Sequence, residues 1–106
     1  APRKSDYALA SAAAQINFAV GSGVTSIHLG IGSVGDFPER LDVDQLCGTP
    51  LDDAAIADAI HAAMQVVETV EDLHATAAYR KRVATELAIR ALCDARDEIS
   101  KDLINE

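Results

Sequence analysis

The chain has 106 residues, enough for one domain (1–106) around a single small core. Apolar residues make up 49%, yet aromatics reach only 4% and tryptophan is absent, so that core is aliphatic and alanine-rich. A formal charge of −8 argues against nucleic acid and anionic membranes as partners, because both would be repelled. No run of 18 apolar residues and no signal-peptide pattern occurs, so membrane insertion is not expected and a cytoplasmic location is.

The segment Tyr7 to Gly32 reads as a hairpin. Ala8, Ala10, Ala12, Ala14, Ile16, Phe18 and Val20 alternate with positions that include Ser11, Gln15 and Asn17, a two-residue period that gives a strand one apolar face. Gly21-Ser22-Gly23 supplies residues able to take positive φ, as short hairpin loops require. The second arm puts Ile27, Leu29 and Ile31 on one face and Ser26, His28 and Gly30 on the other. An alanine-rich helix over Ala8 to Ala19 is the competing reading, since alanine is the best helix former. Period two from Ile16 onward and the glycine turn favour the strand.

Gly30, Gly32 and Gly35 open a loop that runs to Arg40 and includes Pro38, with a short third strand expected near Ser33 to Phe37. A phosphate loop is disfavoured there: no helix or lysine follows, and Asp36 and Glu39 would repel phosphate. Leu41 to Cys47 predicts a helix of about two turns, stopped by Gly48. Asp52 is placed to cap a helix running from Asp53 to about Glu68, whose apolar face is Ile56, Ile60, Ala63, Met64 and Val67. After a break at Val70 to Ala75, Thr76 is placed to cap a long helix. Its stripe is Val83, Ala84, Leu87, Ala88, Ala91, Leu92 and Ala95, with Arg82, Glu86, Arg90, Asp94 and Asp97 opposite. Tyr79-Arg80-Lys81-Arg82 is the one basic cluster, a solvated face or a docking point for an acidic neighbour. Strands grouped before helices predict an α+β domain, with the helices on one face of a small antiparallel sheet.

Candidate chemistry is sparse. Ser26 and His28 share a strand face, but no orienting acid and no nucleophile elbow accompany them, so no catalytic residue is assigned. His28, His61 and His74 stand on separate elements without metal-ligand spacing, so no metal site is assigned. Cys47 and Cys93 lack CxxC spacing and read as buried free thiols.

A set of short motifs nevertheless falls in register. Arg3, Asp6, Tyr7, Ala8, Ala12 and Ala13 form R-x-x-D-Y-A-x-x-x-A-A, and Leu29 to Gly35 carries glycines after the second arm. Pro38 and Arg40 form P-x-R, Leu46 to Asp52 contains G-x-P-L-D, and Asp72, Thr76, Tyr79 and Arg80 complete the series. The chain thereby resembles the C-terminal domain of the FAD-binding (medium) subunit of molybdenum hydroxylases, the carbon monoxide dehydrogenase and xanthine dehydrogenase family. Ile31 departs from the family by interrupting its glycine pair. The resemblance implies a sheet of about three strands beside a layer of about three helices. It also implies a closing domain of an oxidoreductase flavoprotein that passes electrons from molybdenum through iron–sulfur clusters to FAD.

On that reading FAD belongs to the full-length subunit and is held by upstream domains, with none expected on this chain alone and no cofactor-binding residue assigned. The implied partners are those upstream FAD-binding domains and the iron–sulfur and molybdopterin subunits. Arg3, Asp6, Gly32 and Arg40 are the interface candidates, because a self-contained core does not need them. The alternative is an independent small α+β binding or assembly module without a redox role.

Overall fold

A computed structural model describes residues 11–32, 39–67 and 77–104. Three strands, β1 (Ser11–Ala19), β2 (Gly23–Gly32) and β3 (Glu39–Leu41), form an antiparallel sheet in the order β1-β2-β3. Two α-helices follow, α1 (Asp53–Met64) and α2 (Ala77–Ile104), after a single 3-10 turn at Asp44–Leu46. The α+β architecture with helices on one face is as expected, with one element reduced. The predicted helix over Leu41 to Cys47 shrinks to that turn, because Leu41 pairs with Leu29 as the end of β3.

The third strand also lies later than expected. It occupies Glu39–Leu41, while the segment 33–38, where it was sought, is outside the described residues. The start of the first arm (residues 1–10) and Thr76 are outside them as well.

The alanine run is a strand, not a helix. Helix propensity loses here to pairing: β1 and β2 meet from Ser11↔Gly32 to Ala19↔Gly23, which satisfies backbone groups and seats one face of β1 against α2. Ala12, Ala14 and Ile16 form that half-buried face. Ser22 closes the turn by donating its N–H to the Ala19 carbonyl at 3.0 Å, and Gly21 and Gly23 take φ of 85° and 73°. Thr25 is an extra residue in β2: Asn17 pairs with Ser26, but Phe18 pairs with Val24. The bulged Thr25 donates its hydroxyl to the Asn17 carbonyl at 3.1 Å. The bulge brings both Val24 and Ile27 to the buried face despite their odd spacing. Phe18 and Val20, expected on the apolar face, are 40% and 92% exposed at the hairpin tip.

The core joins Ile27, Leu29 and Ile31 of β2 to Leu41, Val43 and Leu46, and to Ile56, Ile60 and Met64 of α1. Ala84, Ala88 and Leu92 of α2 complete it. Alanine on both β1 and α2 lets helix and strand approach closely, which is the use of an alanine-rich composition here. Helix α1 starts where Asp52 caps it, its carboxylate accepting the Ala55 N–H at 2.7 Å. It ends at Met64, earlier than predicted, in turns that still carry Val67 into the core.

The two helices are clasped by Arg96. Its guanidinium donates to the Leu51 carbonyl at 2.9 Å and to Asp53 at 2.5 Å, and it also pairs with Asp97 at 2.9 Å. Leu51 is a buried leucine at φ 56°, a left-handed conformation that costs a non-glycine residue about 1–3 kcal/mol. Thr49 accepts the Leu51 N–H at 3.3 Å, so the strained residue is held on both sides.

Candidate functional site

Among the described residues one face of the sheet carries no helix, and the register fixes which side chains stand on it. Cross-strand partners share a face, so Ser11 stands beside Gly32, and Ala13, Gly30 and Arg40 form one row across all three strands. Gln15 with His28 and Asn17 with Ser26 make the next two rows. The side chains are small or polar throughout, in contrast to the aliphatic face behind them. An open trough of about 750 Å³ lies against this end of the sheet, walled by Ala13, Gln15, His28, Gly30, Gly32 and Arg40 among others. None of the residues lining it belongs to a helix.

Gly30 defines the floor. It is an interior strand residue with ordinary backbone geometry, and a Cβ placed there would meet only the Glu39 carbonyl oxygen, at 3.8 Å. That is ordinary contact, so nothing in the described fold requires glycine at this position. Interior strand glycine costs stability and marks places where another backbone or a ligand comes close.

Two of the four sequence-derived interface candidates, Gly32 and Arg40, are thus brought to one trough. Arg3 and Asp6 lie outside the described residues. Sequence reasoning had not singled out Ala13 and Gln15 as interface residues, although the alternation that identified the strand also fixes their face.

The remaining chemistry is structural. Ser26 and His28 do share this face, but the Ser26 hydroxyl accepts from the Asn17 carboxamide at 2.7 Å. That is a cross-strand pair rather than a nucleophile–base pair. Among the described residues no group of three or more His, Cys, Asp or Glu is placed to hold a metal ion. Cys47 and Cys93 are free thiols, half-buried rather than buried. Burial pushes the Cys93 thiol up; Arg96 pulls it back down, and Asp53, at 3.9 Å from the sulfur, adds to the rise. The hydrogen bond to Asp53 in turn raises Arg96 further. No helix among the described residues is long and apolar enough to cross a membrane.

With this geometry in hand, comparison with known proteins is informative. The family model described as CO dehydrogenase flavoprotein C-terminal domain matches residues 1–95. No curated protein matches the sequence. Among solved structures, quinoline 2-oxidoreductase from Pseudomonas putida 86 is similar at a TM-score of 0.78 and 27% identity, over 92% of this chain and 35% of that one. The Cu,Mo-CO dehydrogenase in its cyanide-inactivated form is similar at a TM-score of 0.73 and 26% identity, over 91% of this chain and 34% of that one. The chain spans about a third of the length of these solved chains.

Proposed function

The chain belongs to the CO dehydrogenase flavoprotein C-terminal domain family, and from that premise we propose that it closes the flavoprotein subunit of a molybdenum-containing oxidoreductase, with its helix-free sheet face against the flavin-bearing domains. The observation that carries this reading is the row Ala13–Gly30–Arg40. A face without large apolar side chains, with a glycine that the described fold does not require, is suited to another protein surface. Arg40 at its edge can make directional, charge-assisted hydrogen bonds to that surface.

FAD is then a ligand of the whole subunit. The described residues do not form a cradle for its pyrophosphate. The N-terminus of α1 is already filled by the Asp52 carboxylate, and Asp53 stands in its first turn, so a phosphate would meet two negative charges. On this reading the flavin is held by upstream domains, and this chain contributes a wall to the assembly. Electron transfer from molybdenum through iron–sulfur clusters to FAD would run through neighbouring domains and subunits.

Gly30→Val separates this role from a purely internal one. Valine suits a strand and has room at its Cβ, so the isolated chain should melt unchanged or gain up to about 1 kcal/mol. In a subunit carrying this chain behind its flavin-bearing domains, the same substitution should lower flavin content and shift the complex to smaller size. Normal flavin content and normal assembly would remove the sheet face from the interface and favour an independent module.

A further inference from the structure

We propose that the outer edge of β1 takes up a fourth strand from the flavin-bearing part of the same subunit, seated beneath the outer flank of α2. The inference rests on the flavoprotein reading above and names the place where that larger part is joined. In the order β1-β2-β3, β1 has a pairing partner on one side only among the described residues. The Asn17 carbonyl accepts the Thr25 hydroxyl at 3.1 Å, so the backbone polar groups of Asn17 turn toward β2. Alternation along an antiparallel strand then aims the N–H and C=O groups of Ala12, Ala14 and Ile16 away from β2. Edge strands are commonly protected by charged residues or proline, and Ser11–Ala19 contains neither.

The helix above this edge supplies cover for such a strand. α2 rides mainly on β1, while α1 lies toward β3 and the 3-10 turn. Cys93 and Arg96 of α2 reach Asp53 of α1, and Ala84, Ala88 and Leu92 are buried in the core. At about 3.6 residues per turn, Val83, Leu87 and Ala91 fall on the flank away from α1, and all three are half-buried. That flank and the outward backbone of β1 form a shelf suited to an extended, uncharged segment with alternating apolar side chains. A second copy of the chain does not fit there. Paired strands lie about 4.8 Å apart and packed helices about 8–10 Å, so the helix riding on a partner's β1 would collide with this α2. The chain spans about a third of its solved relatives, which leaves the rest of such a subunit to supply the strand. Ser11, Ala13 and Gln15 also line the sheet trough, so an added strand continues the face assigned to the flavin-bearing domains.

Amide hydrogen exchange reads the edge directly, in the 106-residue chain and in a subunit carrying it behind its flavin-bearing domains. In the chain alone the Ala12, Ala14 and Ile16 amides should exchange fast beside slower Ala13 and Gln15. In the subunit the same three should slow at least about a hundredfold. Ala14→Pro deletes an N–H that β2 does not use, and Ala91→Glu puts a charge on the flank above the shelf. Both should leave the melting temperature of the isolated chain nearly unchanged, yet lower the flavin content and complex size of the subunit. Either variant serves should the other fail to fold. Equal exchange of the three amides in both settings overturns the proposal, whether they are open in both or already shielded by this chain's own residues. Protection that grows with the concentration of the isolated chain assigns the edge to a second copy and overturns it too. Impaired assembly in Gly30→Val, with the three amides still fast in the subunit, rejects the fourth strand and leaves the flavoprotein reading standing.

Discussion

On the helix side of the sheet, β2 presents Val24, Ile27, Leu29 and Ile31, all buried, across from Ala12, Ala14 and Ile16 of β1. On the other side the same two strands present Ser26, His28, Gly30 and Gly32 across from Asn17, Gln15, Ala13 and Ser11. The first set is dictated by this chain's own packing, since each side chain has neighbours that fix its size. Among the described residues no helix packs on the second set, and its smallest member sits where a larger residue would fit. On the proposed function, one sheet separates residues that serve folding from residues that serve an interface.

The sharpest way to break that contrast is truncation on both faces. Leu29→Ala removes a fully buried side chain and should cost about 2–5 kcal/mol, while the adjacent His28→Ala should stay within about 0.5 kcal/mol. Urea unfolding of the two variants reads the difference, and comparable losses would mean that both faces are internal. Enlargement gives a smaller effect of the same kind. Ala12→Leu should cost about 1–3 kcal/mol by forcing α2 away from β1, as followed by thermal melting.

A smaller effect probes the clasp between the helices. The Cys93 thiol is raised in the folded state, so its protonated form is favoured there. Its contribution is complete below the ordinary thiol range, near pH 8.5, and is lost as pH rises through the folded value. Melting temperature should therefore fall slightly more from pH 8 to 10 in the parent than in Cys93→Ala. Identical slopes would remove the thiol from the pH response.

How much of this was legible in the residues depends on what each feature requires. The hairpin was readable because Ile27, Leu29 and Ile31 repeat a two-residue period beside a glycine turn. The Thr25 bulge was not, because an extra residue is defined only by the register of its partner strand. Leu41 was taken for a helix position, yet it ends β3. Three residues are too few to separate the periods. Gly32 and Arg40 line one trough, and alternation with pairing puts them on one face of the sheet. The Arg96 clasp left only a faint trace, a charged residue continuing the Ala88 and Leu92 spacing. Its partner Leu51 is 45 positions away, and its role depends on a backbone conformation that composition does not encode.

The packing of α2 over β1 also sets an order of events during synthesis. Within this chain the hairpin leaves the ribosome before the helices, and the apolar side of β1 finds its cover in a helix that begins at Ala77. At about 5–20 residues per second, that side stays wet for several seconds of translation. Alanine suits such a wait: Ala12 and Ala14 expose far less adhesive surface to passing chains than valine or leucine would. The small side chains that let the helix sit close thus also protect the nascent strand, so bulkier substitutions there threaten soluble yield as well as the melting temperature.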